Sequence, residues 1–390
     1  MTMIMKTAKR MEKIPASGTI RMLEIAKELE QKGQKIIHFE VGEPDFDTPQ
    51  HIKDAAIKAL NEGFTKYTSS KGIPELREAI ATDIKRRTGA EIKTNQIIVT
   101  PGAKHAIFCA VQTLINPGDE VLIPVPVWPS YKDIVTMAEG VPKEVPFQED
   151  YSIDDEALKK AITRRTKAIF INTPNNPTGG ALTKPEMATI ADIARDSKLI
   201  IFSDEIYDAL TYDGFKNTSI LSFPQLQDQT VYIHGFSKTY SMTGWRLGYI
   251  AAPQKIVDEM SKIQQNSTTC ATSFAQKAAV EAIRGPQDCV EEMRKEYDKR
   301  RKAIVKALNQ IDGVTCKTPK GAFYAFPNIS EYSNDSSQLA EQLLESKGVC
   351  ITPGKVFGSN GEGHIRISYA TSMQDILEGV QKLEEYLHSL

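Results

Sequence analysis

The sequence predicts an α/β fold in which helices cover a parallel or mixed β-sheet. Short runs rich in Val and Ile alternate with longer amphipathic stretches along most of the chain, and this alternation is typical of sheets with helices on their faces. Several short runs are apolar throughout, as expected of strands buried on both faces of a sheet. A chain of 390 residues exceeds the usual size of one hydrophobic core, so we expect one large and one smaller domain.

The predicted elements follow in order along the chain. The apolar runs that predict strands are residues 36–41, 97–100, 120–124, 168–172, 199–203, 230–234 and 247–252. The helices predicted between them include residues 73–87, 102–115 and 184–197. The last third of the chain predicts a long charged helix at 291–309, short strands at 322–326 and 364–370, and helices at 337–347 and 373–390. This part is typical of a smaller α+β domain.

Charge and cysteine content exclude several classes of protein. The chain has 48 basic and 50 acidic residues, a net charge of −2, which gives no reason to expect binding to nucleic acid or to anionic membranes. The five cysteines are widely spaced and form no CxxC pair, so neither a disulfide framework nor a zinc site is predicted. The apolar runs are far shorter than a membrane span, and no secretory apolar region follows Met1. We therefore expect a cytoplasmic protein without a bound metal.

A lysine follows the predicted strand 230–234 in the run GFSKTYSMTGWRLGY, residues 235–249. A lysine amine that is buried near other cations has a lowered pKa and becomes a nucleophile towards aldehydes. A lone Ser-Lys pair is most often part of a surface turn. The Trp245, Arg246 and glycines that follow are unusual in a solvated turn, so Lys238 is a candidate nucleophile.

Two further predicted strands lead into polar side chains. Asp204 directly follows the strand 199–203, at the edge where open α/β sheets bind their ligands. A buried carboxylate needs a cationic partner, but helix N-capping would explain an aspartate here equally well. The run NTPNNPTGG, residues 172–180, predicts a rigid turn, and its asparagine amides are candidates to hydrogen-bond a ligand.

Three other segments are candidates for binding. In the run TPGAKH, residues 100–105, a strand, a turn and a helix N-terminus follow one another, and the free backbone N–H groups there suit a phosphate. Trp128 follows the strand 120–124 and either stacks on a flat ring or fills the core. Arg366 lies in the alternating run HIRISY; it grips a carboxylate if it faces inward and is solvated if it faces outward.

Together these segments resemble the class I and II aminotransferases, which are pyridoxal-5′-phosphate (PLP) enzymes of fold type I, in the branch of thermophilic aspartate and aromatic aminotransferases. The resemblance extends from about residue 41 to residue 369, and it is the ordered set of motifs that is specific. The set comprises VGEPDF at 41–46, Tyr67, PGAK at 101–104, NPTG at 176–179, DEIY at 204–207, SK at 237–238, GWRLGY at 244–249 and Arg366.

The resemblance implies a mostly parallel seven-stranded sheet sandwiched by helices, plus a smaller α+β domain. It also implies that residues 46–287 form the large PLP-binding domain, and that residues 1–45 and 288–390 form the small one. The segment 17–20 is a candidate for closing over the substrate. Its Gly18 departs from related sequences, so no specificity is assigned from it.

The cofactor contacts implied by the resemblance involve residues from the whole set. Lys238 corresponds to the lysine that forms a Schiff base with PLP and later moves a proton at the substrate α-carbon. Asp204 corresponds to the partner of the ring nitrogen. The other implied contacts are Tyr207 and Asn176 to the phenolic oxygen, Trp128 to the ring face, and Ala103, Lys104, Ser237, Arg246 and the neighbouring subunit's Tyr67 to the phosphate. The active site would then need a homodimer.

The implied reaction is a ping-pong transfer of an amino group from an L-amino acid to a 2-oxo acid such as 2-oxoglutarate. The implied substrate contacts are Arg366, with Asn176 and the backbone near Gly42, to the α-carboxylate, together with Trp128 and Lys104. Lys104 occupies the place of a lysine that contacts a distal carboxylate, which favours aspartate or glutamate. The alternatives are aromatic-amino-acid, alanine or prephenate aminotransferases, a PLP lyase of the same fold, and a PLP-binding regulatory protein.

Overall fold

The computed structural model describes residues 6–14 and 18–390, with side chains from Arg21 onwards in the second segment. Ser17 and the side chains of residues 18–20, in the segment considered for substrate closure, lie outside the described part. The helices are α1 Gly18–Gln31, α2 Gln50–Asn61, α3 Pro74–Thr88, α4 Ala103–Leu114, α5 Ser130–Met137, α6 Asp155–Ala161, α7 Lys184–Asp196, α8 Gln254–Gln265, α9 Ser273–Arg284, α10 Asp288–Leu308, α11 Ser336–Lys347 and α12 Met373–Leu387. The strands are β1 Ile37–His38, β2 Ile97–Thr100, β3 Glu120–Val125, β4 Val141–Pro146, β5 Thr166–Asn172, β6 Ile200–Asp204, β7 Thr230–Gly235, β8 Gly248–Ala251, β9 Tyr324–Ala325, β10 Val349–Cys350, β11 Thr352–Pro353 and β12 Ile365–Ser368.

The centre of the fold is a seven-stranded sheet in the order β2-β8-β7-β6-β5-β3-β4. Strand β8 is antiparallel to both of its neighbours, and the remaining pairs are parallel. Helices cover both faces, so the prediction of an α/β fold with a mostly parallel seven-stranded sheet is confirmed. The domain bounds stay a prediction.

One predicted strand is shorter than expected, and the large sheet contains one strand that the sequence does not predict. Within the run 36–41 only Ile37–His38 is a strand, and it pairs in parallel with β10 in a separate two-stranded sheet. The seventh strand of the large sheet is β4, Val141–Pro146, which is partly exposed at the sheet edge. Its two prolines and its charged residues hide the strand pattern, and an edge position is where a sheet accepts prolines.

Local chemistry explains where several helices begin and end. Thr183 and Glu186 form a capping box at the start of α7, which satisfies backbone N–H groups that the first helical turn leaves free. Helix α3 begins with Pro74 and ends at Gly89, whose φ of 77° is in the left-handed region and suits a glycine. These residues therefore fix where the two helices begin and end.

The last third of the chain builds a three-stranded sheet, β11-β12-β9, with α10, α11 and α12 around it. Arg366 lies in β12, between Ile365 and Ile367, which are fully buried. The segment after β1 joins this region, because Ser368 N–H donates to the carbonyl of Phe39 at 2.9 Å.

The parallel strands end together at one edge of the large sheet. Strands β5, β6 and β7 end at Asn172, Asp204 and Gly235, and the antiparallel β8 begins at that same edge. Ligand sites in open α/β sheets form at this edge. No helix in the described part of the chain is long and apolar enough to cross a membrane.

Candidate active site

A cavity of about 370 Å³ opens at the carboxyl edge of the large sheet. Every predicted site residue except Tyr67 lines it. These residues are Gly42, Ala103, Lys104, Trp128, Asn176, Asp204, Tyr207, Ser237, Lys238, Arg246 and Arg366. Residues up to 324 positions apart in the chain are thus brought to one place, by the strand ends on one side and by β12 on the other.

Lys238 lies in the loop after β7 and points its amine into the cavity wall. Its Nζ donates a hydrogen bond to the carbonyl of Gly42 and lies 5.6 Å from the centre of the Phe323 ring. Burial, together with the charges of Arg366 and Arg246, lowers the pKa of this amine to about 8, against the opposing effects of Glu43 and Asp204. A much larger fraction of this amine is therefore neutral near pH 7 than of an ordinary lysine.

Asp204 is the last residue of β6 and is almost fully buried. Its Oδ2 accepts a hydrogen bond of 2.8 Å from the Tyr131 hydroxyl, and its Oδ1 accepts one of 3.1 Å from the Ile206 backbone. Burial raises the pKa of this carboxyl, and the two hydrogen bonds oppose the rise. The buried carboxylate is therefore oriented by neutral donors, which leaves it able to accept a cationic ligand group.

Two tyrosines meet above the strand ends. The hydroxyl of Tyr207 lies 2.8 Å from that of Tyr324, and their rings pack edge to face at 5.8 Å. Burial raises the pKa of Tyr207 well above its ordinary value. Tyr207 is therefore a neutral hydroxyl, and when Tyr324 is the donor of the bond between them, Tyr207 can donate its one proton into the cavity.

Arg366 is a buried cation whose described hydrogen bonds all go to neutral oxygen atoms. It donates at 3.1 Å to the side chains of Asn176 and Thr352 and also to the backbone carbonyl of Glu40. Its Nε is buried without a hydrogen-bond partner among the described residues. A buried guanidinium in this state is suited to a carboxylate ligand, which it binds with two parallel hydrogen bonds.

The start of α4 forms a concave group of donors. Gly102 precedes the helix with a φ of +85°, and no side chain caps the helix. A Cβ atom at position 102 would lie 2.6 Å from Nη2 of Arg246, so only glycine lets the arginine approach this closely. Free helix N–H groups beside an arginine, with Ser237 also lining the cavity, are groups that can bind a phosphate.

Lys104 lies at the cavity mouth. Its Nζ is 4.8 Å from the centre of the Trp128 ring, within reach of a cation–π contact. Burial and the charge of Arg246 both lower the pKa of Lys104, and Asp133 opposes them. Trp128 is half-buried and packs edge to face on Tyr131, so part of its ring remains open to the cavity.

Tyr67 is not brought into this cavity. It lies in the loop between α2 and α3, and 86% of it is exposed. An aromatic side chain exposed to this extent is unusual on the surface of a single chain.

Sequence reasoning did not assign several residues that line the cavity. Among them are Glu40, Glu43, Tyr131, Asn172, Thr243 and Tyr324. Asn172 could have been predicted, because it ends strand β5 directly beside Asp204, which ends the neighbouring strand β6. Tyr324 carried little, because its strand β9 has only two residues.

Known proteins resemble this chain along its whole length. A family model described as aminotransferase class I and II matches residues 34–383. An aspartate aminotransferase of Geobacillus stearothermophilus is 44% identical, covering 99% of this chain and all of its own length. Aromatic-amino-acid aminotransferase 2 of Thermococcus litoralis is 42% identical and covers 98% of both chains. The structure of Thermus thermophilus aspartate aminotransferase with maleate matches with a TM-score of 0.93 and 36% identity, covering 98% of this chain and 100% of that chain. The resemblance inferred from the motifs is confirmed: the chain belongs to the class I and II aminotransferase family.

Proposed function

We propose that this aminotransferase takes the amino group of an acidic L-amino acid, aspartate or glutamate, and passes it to a 2-oxo acid such as 2-oxoglutarate. The observation that carries the proposal is the pair of cations Arg366 and Lys104 lining the same cavity as Lys238. Two cations in the same cavity as a nucleophilic amine match a substrate with an α-carboxylate and a second, distal carboxylate.

The residues of the cavity fit PLP as the cofactor. Within the described residues, the hydrogen bonds to the buried Asp204 carboxylate come from neutral donors, so this carboxylate suits a protonated ring nitrogen. Gly102 leaves open the space beside Arg246 that a Cβ would fill, and this arrangement suits a phosphate. Lys238 supplies an amine for the cofactor aldehyde. When it is bound, PLP supplies an electron sink for the substrate α-carbon.

Each side chain of the cavity then has its own role in the proposed reaction. Arg366 and Asn176 hold the α-carboxylate, so that the bond from the α-carbon to its hydrogen faces Lys238. The amine of Lys238 would take the α-proton as general base and later give up that proton as general acid. When PLP is bound, Tyr207 and Asn176 would donate to its phenolic oxygen, Trp128 would pack on the ring face, and Asp204 would keep the ring nitrogen protonated.

Lys104 supports the acidic substrate. Its Nζ lies over the Trp128 ring at the cavity mouth, where a distal carboxylate could draw it away from the ring. The relative of known structure has maleate bound, which is a dicarboxylate. The relative in Thermococcus litoralis is named for aromatic amino acids, so an aromatic range is the second candidate.

Exposed apolar side chains support a homodimer. Tyr67 is 86% exposed, and Ile57 and Leu60 of α2 are 52% and 43% exposed. Burial of such side chains favours association, and we propose that Tyr67 reaches the phosphate site of a second copy. Sedimentation should give a dimer. The variant Tyr67→Phe should weaken cofactor binding and should leave the dimer intact. A monomer with full activity would contradict this proposal.

The variant Lys104→Met tests the substrate assignment, because methionine keeps most of the side-chain bulk and removes the charge. We expect the KM for aspartate to rise about tenfold, the size of one ion pair in a partly dry site, while the KM for phenylalanine changes little. Lys160→Met, at an exposed lysine on α6, is the control. Equal changes for aspartate, alanine and phenylalanine would contradict the role of Lys104. Failure of the PLP-loaded enzyme to transfer any of these amino groups would contradict the proposed function.

A further inference from the structure

The backbone of residue 40 holds one edge of the Arg366 guanidinium. The carbonyl oxygen of Glu40 accepts a hydrogen bond from Nη2 of Arg366 and a longer one, 3.4 Å, from Oγ1 of Thr352. Thr352 also accepts from the same Nη2 at 3.1 Å. The direction of the guanidinium therefore depends on where residue 40 lies.

Among the described residues, His38 is the basic side chain that hydrogen-bonds the buried carboxylate of Glu40. Glu40 is 3% exposed, and its Oε1 lies 2.9 Å from Nδ1 of His38. Its Oε2 is buried without a partner among the described residues. Because a buried carboxylate is costly unless it is paired, His38 decides whether the present position of residue 40 is stable.

His38 connects this buried group to the surface. Its Nε2 lies 3.1 Å from Oε1 of Glu30 on α1, and its side chain is about a third exposed. Solvent can therefore exchange protons with His38, whereas Glu40 and Arg366 are shielded from it.

We propose that the His38–Glu40 ion pair is a positioning unit for Arg366, and that the affinity of the site for the substrate α-carboxylate depends on it. The inference rests on the proposed function, in which Arg366 binds that carboxylate. His38 and Glu40 do not form the substrate contact themselves. They hold residue 40, whose carbonyl orients the arginine.

The pair also makes carboxylate affinity sensitive to pH. The hydrogen bond to Glu40 and the charges of Glu40 and Glu30 raise the pKa of His38 to about 9, against the effect of burial. The titratable groups that face the pair are Glu30 from α1, Cys350 from β10, whose thiol pKa is raised, and Arg366 from β12. Below about pH 9 His38 is protonated and the pair is intact. Above it, His38 is neutral, the pair is lost and carboxylate affinity falls.

The test is the binding of maleate to the PLP-loaded enzyme, measured by calorimetry from about pH 7 to about pH 10. Maleate carries two carboxylates and no amine, so the titration of a substrate amine does not enter. We expect His38→Asn to raise the Kd about five- to tenfold at neutral pH, as for a misplaced charge-assisted hydrogen bond. The wild-type loss of affinity above pH 9 should be absent in this variant.

Rescue separates positioning from simple charge. The double variant His38→Asn/Glu40→Gln removes the unpaired carboxylate and keeps an amide pair, so it should recover most of the affinity. Glu40→Gln alone should weaken maleate binding if residue 40 positions Arg366. If Glu40 acted only through its negative charge, removing that charge would strengthen maleate binding. The control is Glu378→Gln, which breaks the exposed pair with Lys35 next to β1 and should leave the Kd unchanged. Turnover at saturating substrate should stay within about twofold in all of these variants.

Arg366→Lys distinguishes failure of this inference from failure of the proposed function. If Arg366→Lys leaves maleate binding intact, the proposed role of Arg366 is wrong. If Arg366→Lys abolishes binding but His38→Asn and Glu40→Gln both bind maleate as the wild type does, only the positioning inference is wrong.

Discussion

Nη1 of Arg366 donates a hydrogen bond to Oδ1 of Asn176 at 3.1 Å, across 190 residues of chain. The bond joins strand β12 to the turn that follows β5, and both side chains are buried. Asn176 is itself held, because its backbone N–H donates to Oδ1 of Asn172 at 3.0 Å. The arginine is thereby fixed from the large sheet as well as from its own strand, which is the preorganisation that a carboxylate site requires.

Removing this link should weaken substrate binding. Asn176→Ala leaves Arg366 in place but frees one edge of its guanidinium, so we expect the KM for the amino acid to rise by about 1–2 kcal/mol, or roughly tenfold. Steady-state kinetics with aspartate measure it. Asn95→Ala, which breaks an exposed hydrogen bond to Gln254, is the control. An unchanged KM in Asn176→Ala would show that the link does not contribute to binding.

The hydroxyl of Tyr131 should control the protonation of Asp204. Tyr131→Phe removes a hydrogen bond that favours the charged carboxylate, so the pKa of Asp204 should rise further. Cofactor binding that needs the carboxylate should then fail at a higher pH than in the wild type. Fluorescence titration with PLP at several acidic pH values measures the pH at which PLP affinity is lost. If PLP affinity is lost at the same pH in Tyr131→Phe as in the wild type, Tyr131 does not control the protonation of Asp204.

Two glycines separate backbone strain from steric fit. Gly102 and Gly118 have φ angles of 85° and 84°, but an added Cβ at 118 has no heavy atom within 4 Å, whereas at 102 it would meet Arg246. Alanine at either position should cost about 1 kcal/mol of unfolding free energy from the backbone alone. Only Gly102→Ala should also weaken PLP binding, because Arg246 must move. Equal PLP affinity in the two variants, measured by equilibrium dialysis, would contradict the phosphate site.

A buried cluster of Asp208, Arg87 and His234 should make a large contribution to acid stability. Asp208 accepts from Arg87 and lies 2.8 Å from Nε2 of His234, and these cationic partners hold the pKa of Asp208 well below its usual value. A depressed carboxyl pKa stabilises the fold above the unfolded value of about 3.9, and this stability is lost as the pH falls below that value.

Asp208→Asn should therefore cost about 3 kcal/mol near neutral pH, and the difference from the wild type should shrink towards about pH 3. Urea denaturation at several pH values measures it. Asp228→Asn, at an exposed carboxyl, should stay within about 0.5 kcal/mol. A pH-independent loss in Asp208→Asn would mean that packing and not charge is responsible.

The sequence predicted the buried part of the fold well and its edges poorly. The strand 97–100 has the bounds that were expected, and 230–234 differs by one residue from Thr230–Gly235. Continuous apolar runs identify such strands because both of their faces are buried. Val141–Pro146 was not predicted because an edge strand needs no apolar run. Only Ile37–His38 of the run 36–41 is a strand, because periodicity does not show how many residues of a run find a pairing partner.

The site was predictable where a motif ends a strand. Asp204, Lys238 and the turn at Gly102 follow strands of one sheet, and their convergence follows from the parallel arrangement. Tyr131 and Tyr324 were not assigned, because their contacts with Asp204 and Tyr207 depend on packing between distant segments. The part played by Glu40 was hidden for another reason, since its backbone and not its side chain contacts Arg366.

The most direct test of the account is an absorbance spectrum of the PLP-loaded enzyme, recorded as aspartate and then 2-oxoglutarate are added, with Lys238→Ala beside it. We expect aspartate to shift the absorbance band of the cofactor in the wild type towards that of the aminated cofactor, and 2-oxoglutarate to restore the original band. Lys238→Ala should bind PLP but not complete the shift. A wild-type band that no amino acid moves, or a full reversible cycle in Lys238→Ala, would contradict the central claim.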